Sequence, residues 1–221
     1  IVPYRDTDQR MELIAEQELR NSFPMAYAYL RENREFLESR EKGRMSGAGW
    51  YGYVYPKNLD VMKTPKILVP DIADRASFAL DQAGEYAFTS GYGITLGTGK
   101  SESVKYVLGL LDSGLLDFFL KKVSTTMRGG FFRYFTQYIE QLPIRTIDFS
   151  DPADVARHER MVSLVERMLA LHQELAAART PTQKTMLQRQ IEATDRQIDR
   201  LVYELYELTE EEIAVVERST A

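Results

Sequence analysis

An apolar pattern at helical spacing organises the middle of the chain, over 104–122. Large apolar residues recur there every three or four positions, the spacing that gives one apolar stripe along a helix. We therefore predict a buried helix over 104–122. A Ser-Thr-Thr break and an Arg-Gly-Gly run follow, and the two glycines free the backbone just before aromatic residues and arginines are presented.

Two further helical stripes lie beyond Pro143. The first runs from Met161 to Ala178 and the second from Leu187 to Leu208. Two such stripes with a short Thr-Pro-Thr break between them predict an antiparallel helical hairpin, in which each stripe buries the other. Structural support is the plain interpretation of this hairpin, and a spacer or docking arm is the functional one.

Shorter patterns predict strands and a helix in the first half. Aromatic residues alternate over 50–55, and short apolar runs at 66–69, 86–88 and 94–96 are also typical of strands. An amphipathic helix is expected over 25–40, because it follows a proline break and carries interspersed charge.

Together these patterns predict an α+β fold. A twisted, mostly antiparallel sheet with flanking helices is expected over 1–149, followed by the α-helical hairpin over 150–221. We expect these two ranges to be two functional domains.

The amino-acid composition excludes several classes of protein. The 221 residues are 44% hydrophobic, which is ample for a core, and contain no cysteine, so neither a disulfide nor a cysteine-based zinc site can form. No apolar run is long enough for a bilayer. The first residue is not methionine, and we expect a segment of a longer cytoplasmic protein that is not membrane-bound.

The net charge of −5 is unevenly distributed. Residues 151–221 carry 9 of the 28 basic and 14 of the 33 acidic side chains, so 19 of each balance over 1–150. Over 31–66, eight basic residues stand against five acidic ones. Such a modest local excess suits a module that makes a few phosphate contacts while a partner domain supplies most of them.

Catalytic motifs are not recognisable by spacing. The run at 97–101 lacks the first glycine of a phosphate loop. His158 and His172 have no cysteine and no metal-pair spacing, so we predict surface residues. No lysine follows Glu85 to complete, with Asp71, a metal-dependent nuclease centre. We expect this segment to be catalytically silent and to hold no metal.

The order of several motifs resembles a known family. The motifs are WYGY at 50–53, PKILVP at 65–70, GEY at 84–86, GYGI at 91–94, LGLLDSGLLDFFL at 108–120, RGGFFRYFTQYIEQLPI at 128–144 and LVYELYELTEEEI at 201–213. In this order they resemble the TaqI-like C-terminal specificity domain of adenine-N6 DNA methyltransferases and of fused type IIG restriction-modification enzymes. The family has Leu-Asn-Ser where this chain has Leu-Asp-Ser at 111–113.

The resemblance implies a DNA target recognition domain that reads bases in the major groove and positions a separate catalytic domain. By this resemblance, base-reading residues are expected in a loop over 127–134, in a loop over 90–92 and at 57–58. The base-reading candidates are Arg128, Gly130, Arg133, Tyr134, Ser90, Tyr92 and Asn58. The local basic excess supplies the phosphate-contact candidates, which are Arg40, Lys42, Arg44, Lys57, Lys63 and Lys66. The neighbouring aromatic residues Trp50, Phe131, Phe132 and Phe135 are expected in the core.

The implied parent is a site-specific adenine-N6 methyltransferase, with or without a fused endonuclease. Its partners would be double-stranded DNA and its own catalytic domain, and its cofactor S-adenosylmethionine, joined by Mg²⁺ if it also cleaves. The segment itself would hold no cofactor. Two alternatives remain open: a protein-interaction or oligomerisation module that acts through the hairpin, and the specificity domain of a phage-defence methyltransferase that does not cleave.

Overall fold

The computed structural model describes residues 1–7, 10–56, 59, 61–88, 90–97 and 99–220. It divides into two compact units, Ile1–Thr64 and Pro65–Ala221. The predicted fold class is confirmed, because helices combine with small antiparallel sheets and a C-terminal helical pair. The functional boundary after residue 149 stays a prediction. No helix in the described ranges combines the length and the apolar character needed to cross a membrane.

In the part of the N-terminal unit that the structure describes, one strand pair and three helices surround a small core. Its elements are β1 (Tyr4–Thr7), β2 (Arg10–Leu13), α1 (Glu16–Ser22), α2 (Pro24–Glu32), α3 (Arg34–Gly43) and a 3-10 turn at Val61–Lys63. β1 and β2 pair antiparallel. The core consists of Ile14, Leu19, Leu30, Trp50 and Tyr51, so the expected burial of Trp50 is confirmed.

Two predictions for this unit were wrong. The helix expected over 25–40 is interrupted at Asn33, whose φ of −99° and ψ of 13° separate α2 from α3. The strand expected over 50–55 is not formed. The chain turns at Trp50 and Tyr51, and these neighbours are both buried, so the aromatic residues do not alternate between two faces. The end of α3 is also unusual, since Glu41 and Lys42 adopt left-handed φ angles of 49° and 59°.

The second unit contains two three-stranded antiparallel sheets and six helices within the described ranges. The first sheet has the order β5-β3-β6 and the second β4-β8-β7. The strands are β3 (Lys66–Val69), β4 (Ile72–Ala73), β5 (Ala79–Asp81), β6 (Tyr92–Ile94), β7 (Thr126–Met127) and β8 (Phe131–Arg133). The helices are α4 (Val104–Leu111), α5 (Gly114–Val123), α6 (Thr136–Ile139), α7 (Pro152–Ala177), α8 (Pro181–Leu205) and α9 (Glu210–Thr220).

The predicted helix over 104–122 is two helices, which corrects the sequence interpretation. Asp112 ends α4, and the Ser113 side chain accepts a hydrogen bond from the Leu116 N–H to begin α5. A serine cap therefore divides a continuous apolar pattern. The strand expected at 66–69 is confirmed, and the one expected at 94–96 is found at Tyr92–Ile94.

The strand expected at 86–88 is absent. The carboxylate of Asp81 accepts hydrogen bonds from the backbone N–H groups of Glu85 and Tyr86. These bonds fold the segment back towards the end of β5, so its N–H groups do not join a strand ladder.

The predicted helical hairpin is confirmed as α7 and α8. Asp151 and Thr180 cap its two helices, and each helix has proline at its first position, where no intrahelical N–H bond is needed. The helix α9, which packs on α5, was not predicted.

The hairpin core has two parts. Near the base, Met161, Leu164, Val165, Ile198 and Leu201 share one core with α4 and α5. Near the tip, Leu171, Ala178, Leu187 and Ile191 form a separate cluster within the hairpin.

Close approach of α4 and α7 at the base depends on Gly109. A Cβ atom added there would lie 2.5 Å from Met161 Sδ. The glycine therefore lets the two helices pack without a gap.

Candidate nucleic-acid interface

A tight β-hairpin presents Arg128. Met127 pairs with Phe131 across β7 and β8, which leaves three residues in the turn. Gly129 and Gly130 have φ angles of 91° and 82°, a region that favours glycine. The Arg-Gly-Gly sequence thus fits this turn, and Arg128 is exposed at its tip. The loop expected over 127–134 is this hairpin.

Arg133 is held on the outer side of β8 by two contacts. Its Nη1 donates to Asp71 Oδ2 at 3.2 Å, and its guanidinium lies 4.9 Å from the centre of the Phe135 ring. One of its five N–H donors bonds to Asp71, which leaves most of the guanidinium fork for other acceptors. The side chain is 27% exposed.

The second predicted loop meets the same place. Tyr92 in β6 packs edge-on against Phe135, with 6.4 Å between ring centroids. Gly91 has a φ of 88°, and a Cβ atom there would lie 2.4 Å from the Val69 carbonyl oxygen. Glycine is therefore required for the loop to pass so close to β3, and Ser90 next to it is exposed.

These contacts define one surface, which we call the Arg133 face. It consists of Tyr92, Arg133 and Phe135, together with Ile72, the cross-strand partner of Arg133, and Phe131, two residues before Arg133 on β8. Phe131 was expected in the core, but it is 41% exposed. The sequence interpretation also missed Ile72 as a surface residue of this site, and Asp71, considered only for a nuclease centre, as the partner of Arg133. The alternation from Phe131 to Phe135 was the signal available for this face.

Tyr134 lies on the opposite side of the strand. It is fully buried, its ring packs edge-on against Phe78, and its hydroxyl donates to Asp117 Oδ1 at 3.3 Å. Burial raises the pKa of the Tyr134 phenol, and the Asp117 carboxylate raises it further. This side chain cannot reach a base without leaving the core, so Tyr134 is removed from the base-reading set.

Lys66 is also a core residue. It is fully buried and forms an ion pair with Asp81. Burial acts to raise the pKa of Asp81, but the bonds from Lys66 and from the backbone N–H groups of Tyr86 and Glu85 outweigh it and lower that pKa to about 2. Because Lys66 has no solvent exposure, it is removed from the phosphate-contact set.

The other phosphate-contact candidates in the described ranges belong to the N-terminal unit. Arg40 bonds to the carbonyl oxygens of Leu37, Trp50 and Gly52, so it ties the end of α3 to the turn at 50–52. The candidates with exposed side chains are Lys42, Arg44 and Lys63. Lys57 and Asn58 lie outside the residues that the structure describes.

No metal-binding cluster of three His, Cys, Asp or Glu side chains is found in the described ranges. His158 accepts a hydrogen bond from the Ser103 N–H at 3.0 Å and lies between the rings of Tyr106 and Phe149. It therefore joins the start of α4 to α7, a structural role that the prediction of a plain surface residue missed. His172 is exposed, as predicted.

Three known proteins with similar sequences are named as type II methyltransferases, and one of them also as a restriction enzyme. The type II restriction enzyme and methyltransferase RM.Eco57I of Escherichia coli is 25% identical over 98% of this chain and 23% of its own length. The type II methyltransferase M.XhoI of Xanthomonas vasicola is 31% identical over 56% of this chain and 22% of its own. The type II methyltransferase M.BstVI of Geobacillus stearothermophilus is 22% identical over 89% of this chain and 29% of its own.

The chain thus spans less than a third of the length of these curated relatives. A family model described as the TaqI-like C-terminal specificity domain matches residues 17–144, which is more than half of the chain. The chain therefore belongs to the family of TaqI-like C-terminal specificity domains.

Proposed function

We propose that this chain is the sequence-specificity module of a restriction-modification protein, and that it reads bases in the major groove of double-stranded DNA. The observation that supports this is the meeting of two separately predicted loops at the Arg133 face. Arg128, Gly130, Arg133, Ser90 and Tyr92 remain the base-reading candidates, and Asn58, outside the described residues, stays a prediction. Arginine is suited to the task because its fork can bond to O6 and N7 of guanine together.

The N-terminal unit would add phosphate contacts. Lys42, Arg44 and Lys63 have exposed side chains and lie in the locally basic part of the sequence. Phosphate contacts fix the register of a protein on DNA without selecting a sequence. Removing one of these charges should therefore weaken binding to all sequences and leave the target motif unchanged.

The parent protein is proposed to be an adenine-N6 methyltransferase, with S-adenosylmethionine bound in a separate catalytic domain. That domain would flip the target adenine out of the duplex while this module holds the surrounding sequence. The name of RM.Eco57I includes a restriction enzyme, whereas those of M.XhoI and M.BstVI name only a methyltransferase. Two kinds of parent therefore remain as alternatives. One also cleaves DNA and would need Mg²⁺, and the other is a phage-defence methyltransferase that does not cleave.

The oligomerisation alternative has less support. Its working part would be the apolar seam of the hairpin, but Leu171, Leu187 and Ile191 are buried against one another within a single chain. A seam that is already filled leaves little apolar surface for a second copy.

The test is sequencing of methylated adenines in DNA from cells that express the full-length parent. Arg128→Ala should relax or change one position of the motif, because a bidentate arginine–guanine pair contributes about 1–3 kcal/mol of discrimination. Arg179→Ala is the matched control, since Arg179 is exposed in the loop between α7 and α8. The same motif after Arg128→Ala, after Arg133→Ala and after exchange of the β7–β8 turn would contradict the proposal.

A further inference from the structure

The Arg133 face surrounds a guanidinium with exposed apolar side chains. Ile72 and Phe131 are 42% and 41% exposed. Ile72 is the cross-strand partner of Arg133, and Phe131 precedes Arg133 by two residues on β8. Ala73, next to Ile72, and Tyr134, next to Arg133, are buried in the core behind the sheet, and neither Ile72 nor Phe131 belongs to that core. Ile72 and Phe131 are therefore not needed to complete that core.

Base edges in the major groove likewise combine hydrogen-bonding groups with an apolar group. Guanine presents the acceptors N7 and O6, and thymine presents a C5-methyl group. Side chains two residues apart on a strand are about 6.8 Å apart. Bases on one DNA strand rise about 3.4 Å per step, so Phe131 and Arg133 are spaced for positions about two steps apart.

We propose that Ile72 and Phe131 recognise thymine through its C5-methyl group, within about two base pairs of the base that Arg133 contacts. The inference rests on the proposed function and adds a base type to it. Burial of the methyl group against Ile72 or Phe131 removes apolar surface from water on both sides. Uracil, which differs from thymine only by lacking this methyl group, loses that contact.

Charge complementarity favours DNA over a protein as the occupant of this face. Arg128 stands at the tip of the β7–β8 hairpin and Arg133 in the middle of the face. The nearby carboxylate of Asp71 is bonded to Arg133. DNA offers negative phosphates and the guanine acceptors N7 and O6, both of which suit arginine side chains. The major groove admits a two-stranded β-ribbon, and at Phe131 and the turn that follows Met127 the sheet consists, among the described residues, of β7 and β8 alone.

The test uses the full-length parent enzyme and duplexes that carry its motif. Every thymine of the motif, on both strands, is replaced by uracil in turn, and the methylation rate is measured. Wild type should react about fourfold more slowly with at least one uracil duplex, the factor that corresponds to one buried methyl group. Ile72→Ser or Phe131→Ser should bring the thymine-to-uracil rate ratio at that position to about one.

Ile144→Ser is the matched control, since Ile144 is 38% exposed and lies outside the Arg133 face. It should keep the wild-type ratio. Far-ultraviolet circular dichroism checks that each variant is folded. The comparison of thymine with uracil in wild type tests the proposal even if a variant does not fold.

Two results would overturn the inference. One is a thymine-to-uracil ratio of one at every position in wild type, and the other is a wild-type ratio that persists in both Ile72→Ser and Phe131→Ser. If exchange of the β7–β8 turn changes the motif while uracil has no effect, base reading stands and methyl recognition fails. If the exchange leaves the motif unchanged, the proposed function itself fails. In that case a protein partner, such as the catalytic domain or a second copy, becomes the occupant to test.

Discussion

The junction between α4 and α5 places a carboxyl group where the family has an amide. Asp112 Oδ1 accepts a hydrogen bond from the Phe78 N–H at 2.9 Å. Burial raises the pKa of Asp112 from 3.8 to about 7; the Phe78 bond lowers it, whereas the carboxylates of Asp195 and Asp117 raise it. Asp112→Asn keeps an oxygen acceptor for Phe78 and removes the titrating group.

The direction of the pH dependence of stability follows from the number of protons that the folded and unfolded states bind. Between 3.8 and about 7 the folded state keeps the Asp112 proton and the unfolded state has lost it. The free energy of unfolding therefore falls as the pH rises through this window, and the loss is complete above it. A shift of roughly three pKa units corresponds to at most about 4 kcal/mol. At the acid end of this window, Asp112→Asn should have the same free energy of unfolding as wild type. Near pH 9 its free energy of unfolding should be higher by up to about 4 kcal/mol.

Urea unfolding followed by far-ultraviolet circular dichroism measures this difference, because the second unit holds the longest helices. Asp199 also titrates, since burial raises its pKa to about 6. It is present in both proteins and cancels in the comparison. A stability difference between variant and wild type that is the same near pH 5 and near pH 9 would refute the reasoning.

Three further changes test the backbone and the core, each by urea unfolding. Lys66→Met leaves the buried Asp81 without its ammonium partner and should cost about 3–5 kcal/mol; full stability would mean that this pair is not buried in solution. Gly91→Ala puts a Cβ atom 2.4 Å from a β3 carbonyl oxygen and should cost about 2 kcal/mol or more, and an unchanged midpoint would disprove the close approach. Glu41→Gly relieves a left-handed φ of 49° and should stabilise by about 0.5–1 kcal/mol. The same replacement at the helical position Glu38 should destabilise by about 1 kcal/mol, so loss of stability in both variants would contradict the left-handed turn.

Periodic patterns predicted the long elements well. The stripes from Met161 and from Leu187 gave α7 and α8, because a two-helix seam leaves a strong repeat in the sequence. The pattern over 104–122 gave the right type of element and missed its division. Both α4 and α5 bury apolar residues on the same core, so the stripe continues across the serine cap at Ser113. The cap was readable from the sequence, but apolar spacing dominated the interpretation.

Single side chains were harder to predict, because their roles depend on distant partners. Lys66 was expected to contact phosphate and is instead paired with Asp81, fifteen residues away. The spacing of the two residues carries no signal for that pair. The position of Arg133 beside Phe135 was within reach of strand alternation. Its bond to Asp71, however, joins positions 62 residues apart and depends on the pairing of β4 with β8.

The division of the hairpin core into a base and a tip bears on how its length can change over evolution. The cluster around Leu187 and Ile191 is complete within the two helices, while the base is fixed to α4 and α5. Seven residues added to both helices between these two regions would lengthen the arm by about 10 Å and repeat the seam by one heptad. Neither the base contacts nor the tip cluster would have to adjust. The length of the α7–α8 hairpin can therefore change in steps of seven residues per helix without a change in α4 and α5.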